Sequence, residues 1–81
     1  MKNITVSSDD FFCLANDIGG EVVEDYSGRG MFGKTCWGII CGNINECIES
    51  GVDYGLKGAK SDNMGEQYIV YYPYITVIER H

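Results

Sequence analysis

The side chains of this chain that could do covalent or metal chemistry are few. Its thiols are Cys13, Cys36, Cys41 and Cys47, and its one histidine, His81, is the terminal residue. A thiol becomes a nucleophile only as a thiolate beside a base or an activating cation, and the cysteines have no obvious histidine or local cation to activate them. Chain ends fray, which makes His81 a poor general base. The cysteines form no C-x-x-C pair, so with a single histidine they do not spell a four-ligand zinc site. Paired carboxylates occur at Asp9-Asp10 and Glu24-Asp25, where helix capping and strand-end solvation account for them. No catalytic residue, metal ligand or cofactor is expected, and function should rest on binding.

Three features could carry binding. The stretch Tyr26-Ser27-Gly28-Arg29-Gly30-Met31-Phe32-Gly33 could aim backbone N–H groups and Arg29 at an anion. It lacks the G-x-x-x-x-G-K-[ST] spacing of a P-loop and opens no helix, so a nucleotide or small-anion site there stands as the alternative reading, and a shaped structural loop with positive φ at one or more glycines as the bland one. Acidic residues gather as Asp9 with Asp10, as Glu21 with Glu24 and Asp25, and as Glu46 with Glu49 and Asp53. On one surface they would imitate a phosphate array; scattered, they merely keep a small domain soluble. Finally, Tyr68, Tyr71, Tyr72 and Tyr74 crowd around Pro73. In an unbroken alternating strand Tyr68, Tyr72 and Tyr74 share one face and Tyr71 takes the other; exposed tyrosines anchor interfaces, whereas buried ones simply pack. The expected partner-binding set is Glu21, Glu24, Asp25, Tyr26, Arg29, Tyr68, Tyr72 and Tyr74.

These residues need elements to hold them. Ser7 or Ser8 can cap a helix with Asp9 and Asp10 in its first turn, and Phe11, Leu14, Ala15 and Ile18 follow at helical spacing before Gly19-Gly20. Residues 21–25 and 34–41 read as two antiparallel strands, the second apolar on both faces as a central strand would be. Asn43 through Glu46 has the form of a capping box, opening a two-turn helix that stops at Gly51. Residues 52–65 carry no sustained periodicity and read as a long irregular connection. Residues 66–72 form a strand, Pro73 marks an edge, bulge or bend, and residues 74–78 resume extended structure. The expected fold is α+β: a three- or four-stranded antiparallel sheet with two helices on one face, in the order α-β-β-α-β.

With 81 residues the chain has room for one domain. Its 44% hydrophobic and 12% aromatic content belongs to a packed globule. Twelve acidic against six basic residues give a formal charge of −6, a field that repels nucleic acid and favours a basic protein partner. Lys2, Arg29, Lys34, Lys57, Lys60 and Arg80 are scattered along the sequence, with no basic stripe for direct nucleic-acid binding. No signal-peptide pattern opens the chain and no apolar run approaches a membrane span, so a cytoplasmic protein with reduced thiols packed in its core is expected.

One resemblance adds to this reading. Residues 25–36, with Gly38-Ile39, Gly58-Ala59, Asp62-Asn63-Met64-Gly65 and residues 69–73, resemble small proteins encoded by bacteriophages and mobile elements. Small acidic phage proteins of this kind look like anti-defence factors, anti-CRISPR proteins above all. The resemblance implies a stoichiometric inhibitor whose partner is a host CRISPR-Cas effector; on charge and hydropathy, no direct nucleic-acid or membrane partner is expected. A structural homodimer built on the tyrosine-rich strand is the remaining alternative.

Overall fold

The computed structural model describes residues 4–79. Its elements run β1 (Ile4–Ser7), α1 (Ser8–Ile18), β2 (Glu21–Tyr26), β3 (Cys36–Cys41), α2 (Ile44–Asp53), β4 (Lys60–Asn63), β5 (Tyr68–Tyr71) and β6 (Ile75–Ile78). An antiparallel sheet of four strands in the order β2-β3-β5-β4 carries both helices, and β1 pairs with β6 as a separate parallel ribbon. The α+β class and the helix-covered antiparallel sheet agree with expectation; the order differs in detail.

α1 forms where its caps and stripe place it. The Ser7 hydroxyl accepts from the Asp9 N–H, Asp9 and Asp10 sit at the positive end of the helix dipole, and Gly19 closes the helix at φ 68°. Its apolar stripe buries Phe11, Leu14 and Ala15. The Phe11 ring meets Trp37 at 5.4 Å and Tyr72 edge-on at 5.6 Å between centroids, so α1 is fixed to the sheet by an aromatic cluster. Asn43 caps α2 by accepting from the Glu46 N–H. α2 does not stop at Gly51. It runs to Asp53, and the chain turns at Tyr54 and Gly55, the latter at φ 80°. Gly51 is instead a buried packing position: a Cβ there would lie 2.6 Å from the Tyr72 hydroxyl.

The sheet is buried on both sides, which is why β3 reads as apolar throughout. Toward the helices point Ile39, Cys41, Val70 and Tyr72, in one cluster with Phe11, Leu14 and Cys47. Away from them point Cys36, Ile69 and Tyr71, covered by Tyr26 and Met31. Residues 27–35 thus act as a lid over the second face.

Two expectations fail here, each for a readable reason, and a third is met. Residues 52–65 hold β4, an edge strand of Lys60, Ser61, Asp62 and Asn63 whose register with β5 supplies the order its side chains do not advertise. The bend expected at Pro73 is present and divides the tyrosine-rich segment into β5 and β6, which join different sheets. A turn at Pro73-Tyr74 with Ile75 N–H returning to the Tyr72 carbonyl redirects the chain, so Tyr74 does not continue the alternation of β5. Cys13 is exposed on α1, whereas Cys36, Cys41 and Cys47 are buried, so only three cysteines serve the core. All four thiols are unpaired.

Candidate functional site

The lid begins where β2 slips register between Val23 and Tyr26. That irregularity turns Tyr26 over the second face, where its ring lies 4.9 Å from Tyr71 and its hydroxyl donates to Asp62 on β4 at 2.8 Å. Burial first, and then the Asp62 carboxylate, push the Tyr26 hydroxyl up to about 12. The same bond, followed by the Asn63 N–H, holds the Asp62 carboxyl below its ordinary range. Gly28 crosses directly above the Tyr71 ring, and its N–H meets the Met31 sulfur at 3.1 Å. Met31 also touches the Cys36 thiol at 3.9 Å. From this anchored stem the chain turns outward through Gly30 at φ 78°, Phe32 at φ 53° and Gly33 at φ 86°. The expectation of positive φ in this loop is met at two of its glycines.

Asp62 also sets a pH dependence. A carboxyl whose folded pKa is depressed contributes stability that is present above its unfolded value of about 3.9 and is lost as pH falls through the folded value. Carbon-detected titration should therefore give Asp62 a midpoint below that of an ordinary aspartate. Tyr26→Phe should move it back up. An unchanged midpoint in that variant would mean that Tyr26 does not hold the carboxylate.

The outward turn of the lid, the start of β4 and the Pro73 turn enclose a pocket of about 450 Å³. Arg29, Lys34 and Lys60 line it with Phe32, Pro73 and Tyr74. Lys60 Nζ stands 5.9 Å above the Tyr74 ring, a cation–π arrangement. Half of the six basic residues of a protein with charge −6 meet at this one place. Among the described residues none of the three forms an ion pair with a carboxylate; Arg29 feels the charge of Asp62 from a distance.

The other side of the molecule has the opposite sign. α1 carries Asp9, Asp10 and Asp17, α2 carries Glu46, Glu49 and Asp53, and neither helix holds a lysine or arginine. The helices lie side by side on one face of the sheet, and the Tyr54 hydroxyl donates to Asp17, tying the end of α2 to the last turn of α1. That hydrogen bond, followed by desolvation and the charge of Asp17 itself, pushes Tyr54 up to about 12. Among these carboxylates Phe12 is 51% exposed, its ring edge-on to Trp37, and Val52 is 58% exposed.

The expected partner-binding residues are thereby distributed. Glu21, Glu24 and Asp25 are exposed on β2, an edge strand. Arg29 and Tyr74 come together in the basic pocket. Tyr26 is half-buried and committed to Asp62, and Tyr68 is half-buried at the start of β5. Tyr72 is a correction: at 1% exposure it belongs to the core between Phe11 and Gly51, and no partner can use it as an anchor. Sequence reasoning did not single out Lys34, Lys60 and Phe32 for the pocket, or Phe12 and Asp17 for the acidic face. Asp17 falls on the exposed side of a helix already foreseen; Lys60 and Arg29 meet only through the pairing of β4 with β5.

The buried thiols are poorly suited to nucleophilic chemistry. Burial pushes Cys36 up, and burial together with the neighbouring Cys41 thiol pushes Cys47 to about 12, so both are protonated at neutral pH. Among the described residues no three His, Cys, Asp or Glu side chains converge as metal ligands, and no helix is long and apolar enough to cross a membrane. Comparison with protein-family models, curated proteins and solved structures finds no match to the chain.

Proposed function

We propose that the protein acts by binding a macromolecule, as an anti-defence factor of the anti-CRISPR kind that docks its acidic helical face on a basic surface of a host CRISPR-Cas effector. The observation that carries this reading is the layer formed by α1 and α2, with six carboxylates and no base. A nucleic-acid machine presents a basic channel to phosphates, and a rigid acidic face of opposite field competes for it. Phe12 and Val52 supply the apolar area among those charges that the tyrosines were expected to give. The edge-strand carboxylates Glu21, Glu24 and Asp25 extend the negative field beyond the helices.

Association with a purified effector should slow as salt rises, because opposite fields accelerate encounter and are screened over about 8 Å at physiological ionic strength. Reversal of Glu46 and Glu49 to lysine should lower the on-rate by roughly tenfold at low salt. Reversal of Glu24 and Asp25 should act in the same direction and less strongly, while Phe12→Ala should raise the off-rate. Binding kinetics at two salt concentrations measure all three. A complex indifferent to salt and to every reversal would sink the electrostatic docking, and a bare homodimer recovered from host lysate would favour a structural role.

A further inference from the structure

We propose that the pocket between the lid, β4 and the Pro73 turn binds a small phosphorylated ligand with a flat ring, of the nucleotide class. Charge comes first. Arg29, Lys34 and Lys60 are brought together against the self-repulsion of like charges, in a protein otherwise dominated by carboxylates. Such a cluster costs stability unless an anion sits among its members. Asp62, the carboxylate whose charge Arg29 feels, already accepts from the Tyr26 hydroxyl and from the Asn63 N–H. An arginine fork and two ammonium points around one cavity suit the several oxygens of a phosphate or diphosphate.

The rim calls for more than an inorganic anion. Phe32 is 97% exposed and holds a left-handed backbone at φ 53°, a conformation that costs an ordinary residue roughly 1–2 kcal/mol. Gly30 and Gly33 on either side would adopt such angles freely, so the phenylalanine is the unexpected residue of this turn. Its ring covers no part of the protein's own core and, with Tyr74, lines the pocket. Two aromatic rings and three cations lining one pocket suit a base joined to phosphates. The volume lies within the ~300–1,000 Å³ typical of small-ligand sites.

This site is on the side of the sheet away from the helices and needs no partner protein, so its test is independent of the docking reading. ¹⁵N-labelled protein would be titrated separately with ADP, pyrophosphate and adenosine. ADP should shift the amides of residues 29–35 and of Lys60, pyrophosphate should shift the same amides with weaker affinity, and adenosine should leave them in place. Lys34→Gln and Lys60→Gln should each weaken ADP and pyrophosphate roughly tenfold. Phe32→Ala should remove the advantage of ADP over pyrophosphate and leave pyrophosphate binding intact. All three substitutions lie on exposed positions, and unchanged melting would verify that the fold persists. No shift at millimolar ADP, shifts centred away from the pocket, or equal affinity for ADP and pyrophosphate would each overturn the proposal.

Discussion

Gly28→Ala is expected to destabilise the domain by about 2–3 kcal/mol or more and to loosen the lid, whereas Gly30→Ala and Gly33→Ala should cost about 1–2 kcal/mol each. The difference lies in what a methyl group would meet. At Gly30 and Gly33 a Cβ has open space, and the penalty is the left-handed backbone alone. At Gly28 it would stand 2.6 Å from Tyr71 Cζ and 2.7 Å from both Cε2 and the hydroxyl. The Tyr71 ring cannot retreat cheaply. It is buried in the second core cluster and flanked by Tyr26, whose own hydroxyl is bound to Asp62. The lid must lift instead, separating Met31 from Cys36 and opening the sheet face beneath. Denaturant unfolding of the three variants measures the ranking. If Gly28→Ala proved the mildest, the lid would not be seated on Tyr71 as described.

That seat explains what the sequence made visible and what it did not. Helix caps are local: Ser7 with Asp9, Asn43 with Glu46, and Gly19 each satisfy backbone groups within four residues, so α1 and the start of α2 were legible from the chain alone. β3 was legible because burial on both faces removes polar residues from it. β4 was not, since Lys60, Ser61, Asp62 and Asn63 carry no strand pattern and become a strand only by pairing with β5. Gly51 was misread as a stop because a glycine at a helix end and a glycine against a tyrosine ring look alike in sequence. The pocket was half visible: Arg29 in a glycine-rich loop pointed to an anion, but Lys60 and Tyr74 enter only through tertiary structure. The same limit applied to the acidic groups. Their number was plain, and their alignment on α1 and α2 followed from both helices choosing one sheet face.

The resulting polarity bears on how both surfaces could work together. Carboxylates dominate the helical side and cations gather over the lid side, with a sheet buried on both faces between them. A molecule with that dipole approaches a basic surface helices-first, which leaves the pocket facing solvent. A ligand in the pocket would neutralise the cations and strengthen the overall negative field.

The second large effect is a coupling between Gly51 and Tyr72. Tyr72→Phe alone should stabilise the domain by about 1–3 kcal/mol, because its hydroxyl is buried without a hydrogen-bond partner among the described residues. Desolvation pushes that hydroxyl's pKa well above the ordinary tyrosine value, consistent with the same environment. Gly51→Ala alone draws on two opposed effects. Alanine is favoured over glycine inside a helix by about 1 kcal/mol, but its methyl would lie 2.6 Å from the Tyr72 hydroxyl in a core that offers little room to shift, an overpacking cost of about 1–3 kcal/mol. The single variant should therefore lose stability or stay level. In the Tyr72→Phe background the obstructing oxygen is gone, and the neighbours that remain, Leu14 at 3.6 Å and Leu56 at 3.7 Å, are at ordinary contact distance. The alanine then keeps its helix preference and fills the vacated space. The double variant should be more stable than the sum of the single effects predicts by at least 1 kcal/mol, a coupling well above the ~0.5 kcal/mol scatter of independent sites. Urea unfolding of the four proteins closes the cycle. Additive energies would mean that the tyrosine hydroxyl does not set the size limit at Gly51.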